Sequence, residues 1–283
     1  MIHEKLKELL TEHLQELVRE RDPYIATQGY YYVRHYIQSQ LECWGPVTVM
    51  AFRQKGREHY NLYLDVQGQQ QSLSPVVIGA HYDTVPGSPG ADDNATGLAV
   101  LLALAQLFSE HQPRRSVRLI AFDLEESGLI GSRTYVSTLQ GQPVYLMLSL
   151  EMLGYCVSES AEQPSQSYPL AAMNYLYPKT GNFIALIGNW QTIPIMWGLK
   201  RSFQRAGVHS AWLPMVKRGL PLPSTRRSDH APFWDVGYNA IMVTDTADLR
   251  NPHYHRLTDT LDTLDLDFLT KVCTGLWQSI RQL

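Results

Sequence analysis

The sequence predicts an α/β fold: one domain on a central, mostly parallel twisted sheet with antiparallel edge strands and helices on both faces. Two observations carry this expectation. Three short segments, PVVIGA (75–80), VRLIAFD (117–123) and VYLMLSL (144–150), are nearly continuous apolar runs. Strands covered on both faces need that composition, and half-exposed strands do not. These runs alternate with helix-length segments, the order that builds parallel sheets.

Each element follows from its own pattern. Ile2, Leu6, Leu9, Leu10, Leu14, Leu17 and Val18 share one helical face, so residues 2–20 form an amphipathic helix, stopped at Asp22-Pro23. A second helix runs over 29–43, with Tyr32, Val33, Tyr36, Ile37 and Leu41 inward, and Gly45-Pro46 ends it. Strands follow at 47–54, 59–67 and 75–82; the first two alternate apolar and polar, as strands exposed on one face do. The order then becomes helix 95–110, strand 116–124, helix 128–139 and strand 144–151. Residues 153–190, rich in Ser, Gln, Pro, Tyr and Gly, read as an extended insert over one end of the sheet. A helix near 192–206, a strand near 239–244 and a helix over 261–281 complete the chain. The whole of 1–283 reads as a single domain, with 153–190 and 208–234 as loops over the functional site.

Bulk properties exclude several functions. The 283 residues are 44% apolar and 18% charged, enough to bury a substantial core. Formal net charge is −3 without a long basic run, which argues against nucleic acid or an anionic membrane as partner. Cys43, Cys156 and Cys273 form no CxxC pair, so a thiolate zinc site is not expected, and their odd count fits a reducing compartment. The N-terminal segment has no apolar core of the signal-peptide kind, and no later run is long enough to span a bilayer. A soluble, cytoplasmic protein is the expectation.

Polar residues collect where the apolar strands end. The stretch VVIGAHYDTVPGSPGADDNATG (76–97) delivers His81, Asp83, Asp92 and Asp93; the next strands end in Glu125-Glu126 and Glu151; NPHYHRLTDT (251–260) adds His253 and His255. Ligands bind at the carboxyl ends of strands in open parallel sheets. Two imidazoles with several carboxylates and no thiolate match a catalytic site for zinc or a similar divalent ion. Without a cation, that many carboxylates in one cleft would force protonation. Taken singly, an HxD turn or an acidic pair opening a helix is ordinary; at four successive strand ends, the set is not.

The motifs HYDTV, GADDNATG, FDLEESGLIGS, LSLEMLGY, SDHAPF and NPHYHRLTDT together resemble the M28 family of zinc peptidases, the di-zinc aminopeptidase group. The resemblance spans residues 81–260. It implies His81 and Glu151 on one zinc, Glu126 and His255 on the second, and Asp93 bridging both, with a cis Asp93-Asn94 peptide. Many members carry Asp where this chain has Glu151. One ion rather than two is the alternative. Glu125 falls at the position of the general base acting on a metal-activated water. Tyr254 matches the phenol that stabilises the oxyanion in some members. Asp83 is expected to accept the second ring N–H of His81.

Other residues keep two readings. Asp92 is a ligand or a loop acid; His230 and Asp229 line the pocket or pack structurally. Arg226 and Arg227 contact a peptide or face solvent. His253 reads as a loop residue, His59, His111 and His209 as surface ones, and Tyr30-Tyr31-Tyr32 as helix face. The implied activity is removal of N-terminal residues from peptides with a free N-terminus. Carboxypeptidase action, a single-zinc glutaminyl cyclase forming pyroglutamate, and a non-catalytic binding protein are the alternatives. Side-chain preference and oligomeric state are not legible in the sequence.

Overall fold

Eight strands form one sheet: β1 (Val47–Gln54), β2 (Arg57–Val66), β3 (Val76–His81), β4 (Val117–Phe122), β5 (Leu146–Glu151), β6 (Phe183–Asn189), β7 (His209–Met215) and β8 (Ala240–Thr244). The computed structural model describes residues 2–157 and 166–283. Strand order is β1-β2-β4-β3-β5-β8-β6-β7. The central β4, β3, β5 and β8 are mutually parallel, while β1-β2 and β2-β4 pair antiparallel. At the far edge β6 and β7 run parallel to each other and antiparallel to β8. The helices are α1 (Ile2–Leu17), α2 (Thr27–Glu42), α3 (Gly97–Glu110), α4 (Ile130–Leu139), α5 (Met173–Leu176), α6 (Ile193–Arg205), α7 (His230–Asp235) and α8 (Leu266–Ile280).

Every residue of β3 and β5 is buried, which accounts for their apolar sequence. Successive side chains alternate between two cores. Val76, Ile78 and Ala80 join Leu10, Val33, Leu101, Phe203 and Leu276 on the face covered by α1, α2, α3, α6 and α8. Val77 joins Phe122, Tyr135 and Trp234 on the face covered by α4 and α7. Among the described residues, no helix is long and apolar enough to cross a membrane.

Three expectations are corrected. Segments 153–190 and 208–234 are not loops throughout: β6 lies in the first, and β7 and α7 lie in the second. The run Phe183–Ile187 carries a strand's apolar content, but the Ser-, Pro- and Tyr-rich sequence around it dilutes the signal; residues 158–165 of that insert lie outside the described residues. In α2 the buried tyrosine is Tyr30, and Tyr32 is exposed, donating to Glu16 under the Arg19 guanidinium. Burial at 30, 33, 37 and 41 keeps one helical face, and a polar partner for the Tyr30 hydroxyl makes its burial affordable. Helix α8 starts at Leu266 rather than 261 because the Asp265 carboxylate accepts from Phe268 N at 2.8 Å and caps it there.

Arg21, just beyond α1, is fully buried and takes no carboxylate partner among the described residues. Its guanidinium donates to the carbonyls of Leu17 (2.7 Å), Pro89 (2.8 Å), Tyr82 (3.0 Å) and Gly90 (3.0 Å). The first helix is thereby fastened to the loop that follows β3. Burial lowers the Arg21 pKa to about 10, against the pull of Asp93 and Asp259, so the group stays charged at neutral pH. R21M would take this donor from the Leu17, Tyr82 and Pro89 carbonyls, while Gly90 O would keep its bond from Ala95 N. It is expected to cost about 3 kcal/mol, or roughly 6–10 °C of melting temperature for a chain this size. A melting curve within 2 °C of wild type, on about the same scale, would remove Arg21 from this account.

Candidate metal centre

His81 is the last residue of β3 and Glu151 the last of β5, so adjacent parallel strands deliver both to the carboxyl edge of the sheet. Strand β4 ends at Phe122, and a bend at Asp123-Leu124 turns the chain into Glu125-Glu126. That bend is fixed from within: Asp123 Oδ1 accepts from Leu124 N at 2.9 Å, and Leu124 takes φ +56°. Asp123 Oδ2 accepts from Tyr30 and from Tyr60 N and lies 3.2 Å from His59 Nδ1. His59 is therefore a core residue, 2% exposed, and not the surface histidine its sequence context suggested. The carboxylate that needs it comes from a strand more than sixty positions away.

Asp93 lies in the irregular turn Ala91–Thr96 that opens α3, before a cis peptide to Asn94. Gly90, at φ +61°, is required here: a Cβ would meet Asp93 O at 2.4 Å and Arg21 Nη2 at 2.7 Å. Asn94 bonds the turn to the end of β5, donating to Leu150 O at 2.8 Å and accepting from Met152 N at 3.1 Å. The Asp259 carboxylate accepts from the backbone N–H groups of Asp92 (2.9 Å) and Asp93 (3.1 Å). Asp93 thus reaches the cleft on a backbone held from three directions.

The structure brings five of the expected residues into two groups that share Asp93. His81 Nε2 lies 3.2 Å from Asp93 Oδ1 and 3.5 Å from Glu151 Oε1. His255 Nε2 lies 3.1 Å from Asp93 Oδ2 and 3.2 Å from Glu126 Oε1. Within each group the potential ligand atoms all lie within 4.8 Å of one another. His81 Nε2 and Glu126 Oε1 are buried and make no hydrogen bond. Buried polar atoms are almost always satisfied, so these two orphaned atoms, one in each group, fit a cation held within each group.

The charges agree with that fit. Burial alone would lower the His81 pKa, but Glu151 and Glu125 outweigh it and hold the imidazole well above its ordinary value. Burial works against His255 too, yet the facing Asp93 and Glu126 carboxylates push it up to about 10. Burial, aided by Asp93, pushes Glu126 up to about 7. Glu125 is raised well above the carboxylate range, first by burial and then by Glu151, Glu126 and Asp229. A divalent cation would relieve the repulsion among carboxylates gathered this closely.

Asp83 behaves differently from expectation. The ring of His81 faces the backbone carbonyl of Asp83 through Nδ1 at 3.1 Å, while the Asp83 carboxylate stands 3.5 Å off. That carboxylate instead accepts from Glu125 N (3.0 Å) and Glu126 N (3.1 Å), which aims both glutamates. With Nδ1–H donated to the carbonyl, the Nε2 lone pair faces the cleft. Asp92 turns away from it, accepting from Gly154 N at 2.9 Å and Asn251 Nδ2 at 2.8 Å. His230 packs edge-on against Trp234 with Nε2 at 2.8 Å from Thr225 O, and Arg226 is held by Asp235 at 2.8 and 2.9 Å. Asp229 is fully buried, and burial pushes its carboxyl up to about 7. His253 pairs with Thr258, and His111 and His209 are exposed.

Ser228, Asp259 and Arg21 escaped the sequence reading. Ser228 donates to Glu151 Oε2 at 2.6 Å and fixes that carboxylate. Ser228 and Asp259 stand inside the quoted motifs without a pattern of their own, and nothing near Arg21 in sequence indicates partners sixty to seventy positions away.

Comparison with known proteins supports the motif reading. The sequence model of Peptidase family M28 matches residues 61–179, so the chain's resemblance to that family holds for the segment bearing four of the five clustered side chains. An uncharacterized Escherichia coli protein, YfbL, is 38% identical over 216 residues, covering 71% of this chain and 64% of its own length. The aminopeptidase YwaD of Bacillus subtilis is 29% identical over 217 residues, covering 73% of this chain and 41% of its own. The chain thus spans less than two thirds of these curated relatives. In fold it is similar to a glutaminyl cyclase from Bacteroides thetaiotaomicron, with a TM-score of 0.67 at 16% identity, covering 99% of this chain and 98% of that one.

Proposed function

We propose that this chain, with the M28 signature over residues 61–179, is a zinc-dependent aminopeptidase acting on peptides with a free N-terminus. The observation that carries this reading is the Asp93 carboxylate facing His81 through one oxygen and His255 through the other. A carboxylate shared in this way suits two adjacent ions, His81, Asp93 and Glu151 holding one and Asp93, Glu126 and His255 the other. Bound zinc supplies Lewis acidity toward a water and the scissile carbonyl. Glu125, beside the pair but outside both ligand groups, takes the proton of the attacking water and returns it to the leaving amine. Burial holds its proton affinity high, and divalent charge bound by the neighbouring donor groups would lower it toward that of a base. Tyr254 stacks on His255 with ring centroids 3.7 Å apart, and burial followed by Asp93 and Glu126 raises its phenol, so it stays an O–H donor for the oxyanion.

The cleft opens beside a cavity of about 120 Å³ that begins at Glu151 and is walled by Phe183, Ile187, Trp212, Leu213 and Met242. Its apolar wall suits an apolar first side chain, while Glu125 and Glu151 suit the α-ammonium. A glutaminyl cyclase is the second reading: the fold is shared, but such an enzyme uses a single zinc, and this chain carries a complete second donor group in Glu126 and His255. A non-catalytic role ranks last because each metal-ligand position holds a competent side chain. The deciding experiment combines metal analysis with assays on leucyl-p-nitroanilide and a Gln-initiated peptide. Two zinc ions per chain and release of leucine are expected; pyroglutamate formation with one zinc, or a zinc-loaded chain inert toward aminoacyl anilides, would overturn the proposal.

A further inference from the structure

Arg227 lies between the turn Pro223–Arg226 and α7, outside both donor groups. Its Nη1 donates to Asp248 at 3.0 Å and its Nη2 donates to the Tyr254 hydroxyl at 2.9 Å. A guanidinium has donors only, so in this pair the phenol oxygen must accept. The single phenolic proton is then left over, and among the described residues no bond consumes it. The phenol also lies flat on the His255 imidazole, with 21° between their planes. Arg227 and Tyr254 both border the cleft that contains Asp93, Glu125 and Glu151. Arg226 is no substitute, since Asp235 and the Arg218 carbonyl occupy it.

We propose that Arg227 is a positioning residue that holds the Tyr254 oxygen as an acceptor and so commits the phenolic proton to the substrate's oxyanion. This inference rests on the aminopeptidase reading and assigns a role within that site. No covalent change is involved: the proton stays on Tyr254 and its hydrogen bond tightens as negative charge develops on the carbonyl oxygen. Asp248 completes the arrangement by anchoring the other arm of the guanidinium, so that two separate loops, 245–249 and 251–260, are tied at one point. Without Arg227 the hydroxyl regains freedom to turn its proton toward the Asp248 carboxylate or solvent, and the donor is no longer pre-oriented.

The test is a double-mutant cycle on the zinc-loaded chain with R227M, Y254F and R227M/Y254F. Arg227 is about half exposed, so R227M is expected to fold with unchanged zinc content. Y254F should lower kcat on leucyl-p-nitroanilide by on the order of 10²-fold, as loss of an oxyanion donor does. R227M should lower it by about 10-fold with KM within about twofold, and the double variant should match Y254F alone. Independently of turnover, calorimetric affinity for leucine phosphonic acid, a tetrahedral mimic, should fall in R227M while affinity for leucine holds. Multiplicative losses in the cycle, a loss confined to KM, or unchanged phosphonate affinity would overturn the positioning role alone. Absence of turnover in the zinc-loaded wild-type chain would overturn the aminopeptidase reading, and this inference with it.

Discussion

E125Q is expected to lower kcat on an aminoacyl anilide by about 10³-fold, within the range for loss of a general base, while zinc content stays at the wild-type value. The separation of the two effects follows from geometry. Glu125 stands outside both donor groups, and its backbone N–H, held by the Asp83 carboxylate at 3.0 Å, is unchanged by the substitution. Glutamine keeps the size of the side chain but cannot accept and return a proton. Metal analysis and steady-state kinetics on the same preparation check both halves. Turnover within tenfold of wild type, on about the same scale, would remove Glu125 from the chemistry; loss of zinc with turnover would make it a ligand instead.

D93N is expected to reduce turnover by on the order of 10³-fold or more, and for a different reason: on the proposed two-ion reading it alters the one carboxylate shared by both donor groups. Burial would raise the Asp93 carboxyl, but the facing imidazoles of His255 and His81 outweigh it and hold it well below the carboxylate range. It is the fixed anion around which the two imidazoles are arranged. An amide of the same shape keeps one oxygen and loses the charge, so zinc binding should weaken in both groups at once. Added zinc raises the melting temperature of wild type by mass action, and that increment should largely vanish in D93N. Zinc stoichiometry and melting curves with and without metal provide the measurement. A D93N chain that still binds two ions with an undiminished increment would show that the groups are independent.

Much of this candidate centre was legible in the sequence because its clustered side chains sit where strands stop. An apolar run that must be buried on both faces fixes its own end, and polar residues at or within a few positions of it, His81, Glu125, Glu126 and Glu151, inherit that position. The same logic found β3, β4, β5 and β8. It missed β6 and β7, edge-side strands whose short apolar runs are diluted by polar neighbours, and α7, a helix of one and a half turns too short to show a period.

The sequence by itself determined the class of fold, the residue types gathered at the sheet's carboxyl edge, and their resemblance over residues 61–179 to Peptidase family M28. These are local properties, written in composition and spacing along single segments. Only the tertiary structure decided which residues hold the ligands in place: Arg21 and Gly90 shaping the Asp93 loop, Asp259 gripping its amides, Ser228 fixing Glu151, and Asp83 aiming two glutamates with its carboxylate while its carbonyl faces His81. The reason is one of distance. Apart from Gly90, each of these contacts with the site's loops and glutamates joins residues forty to one hundred and seventy positions apart, and no periodicity links such partners until the sheet brings the strand ends together.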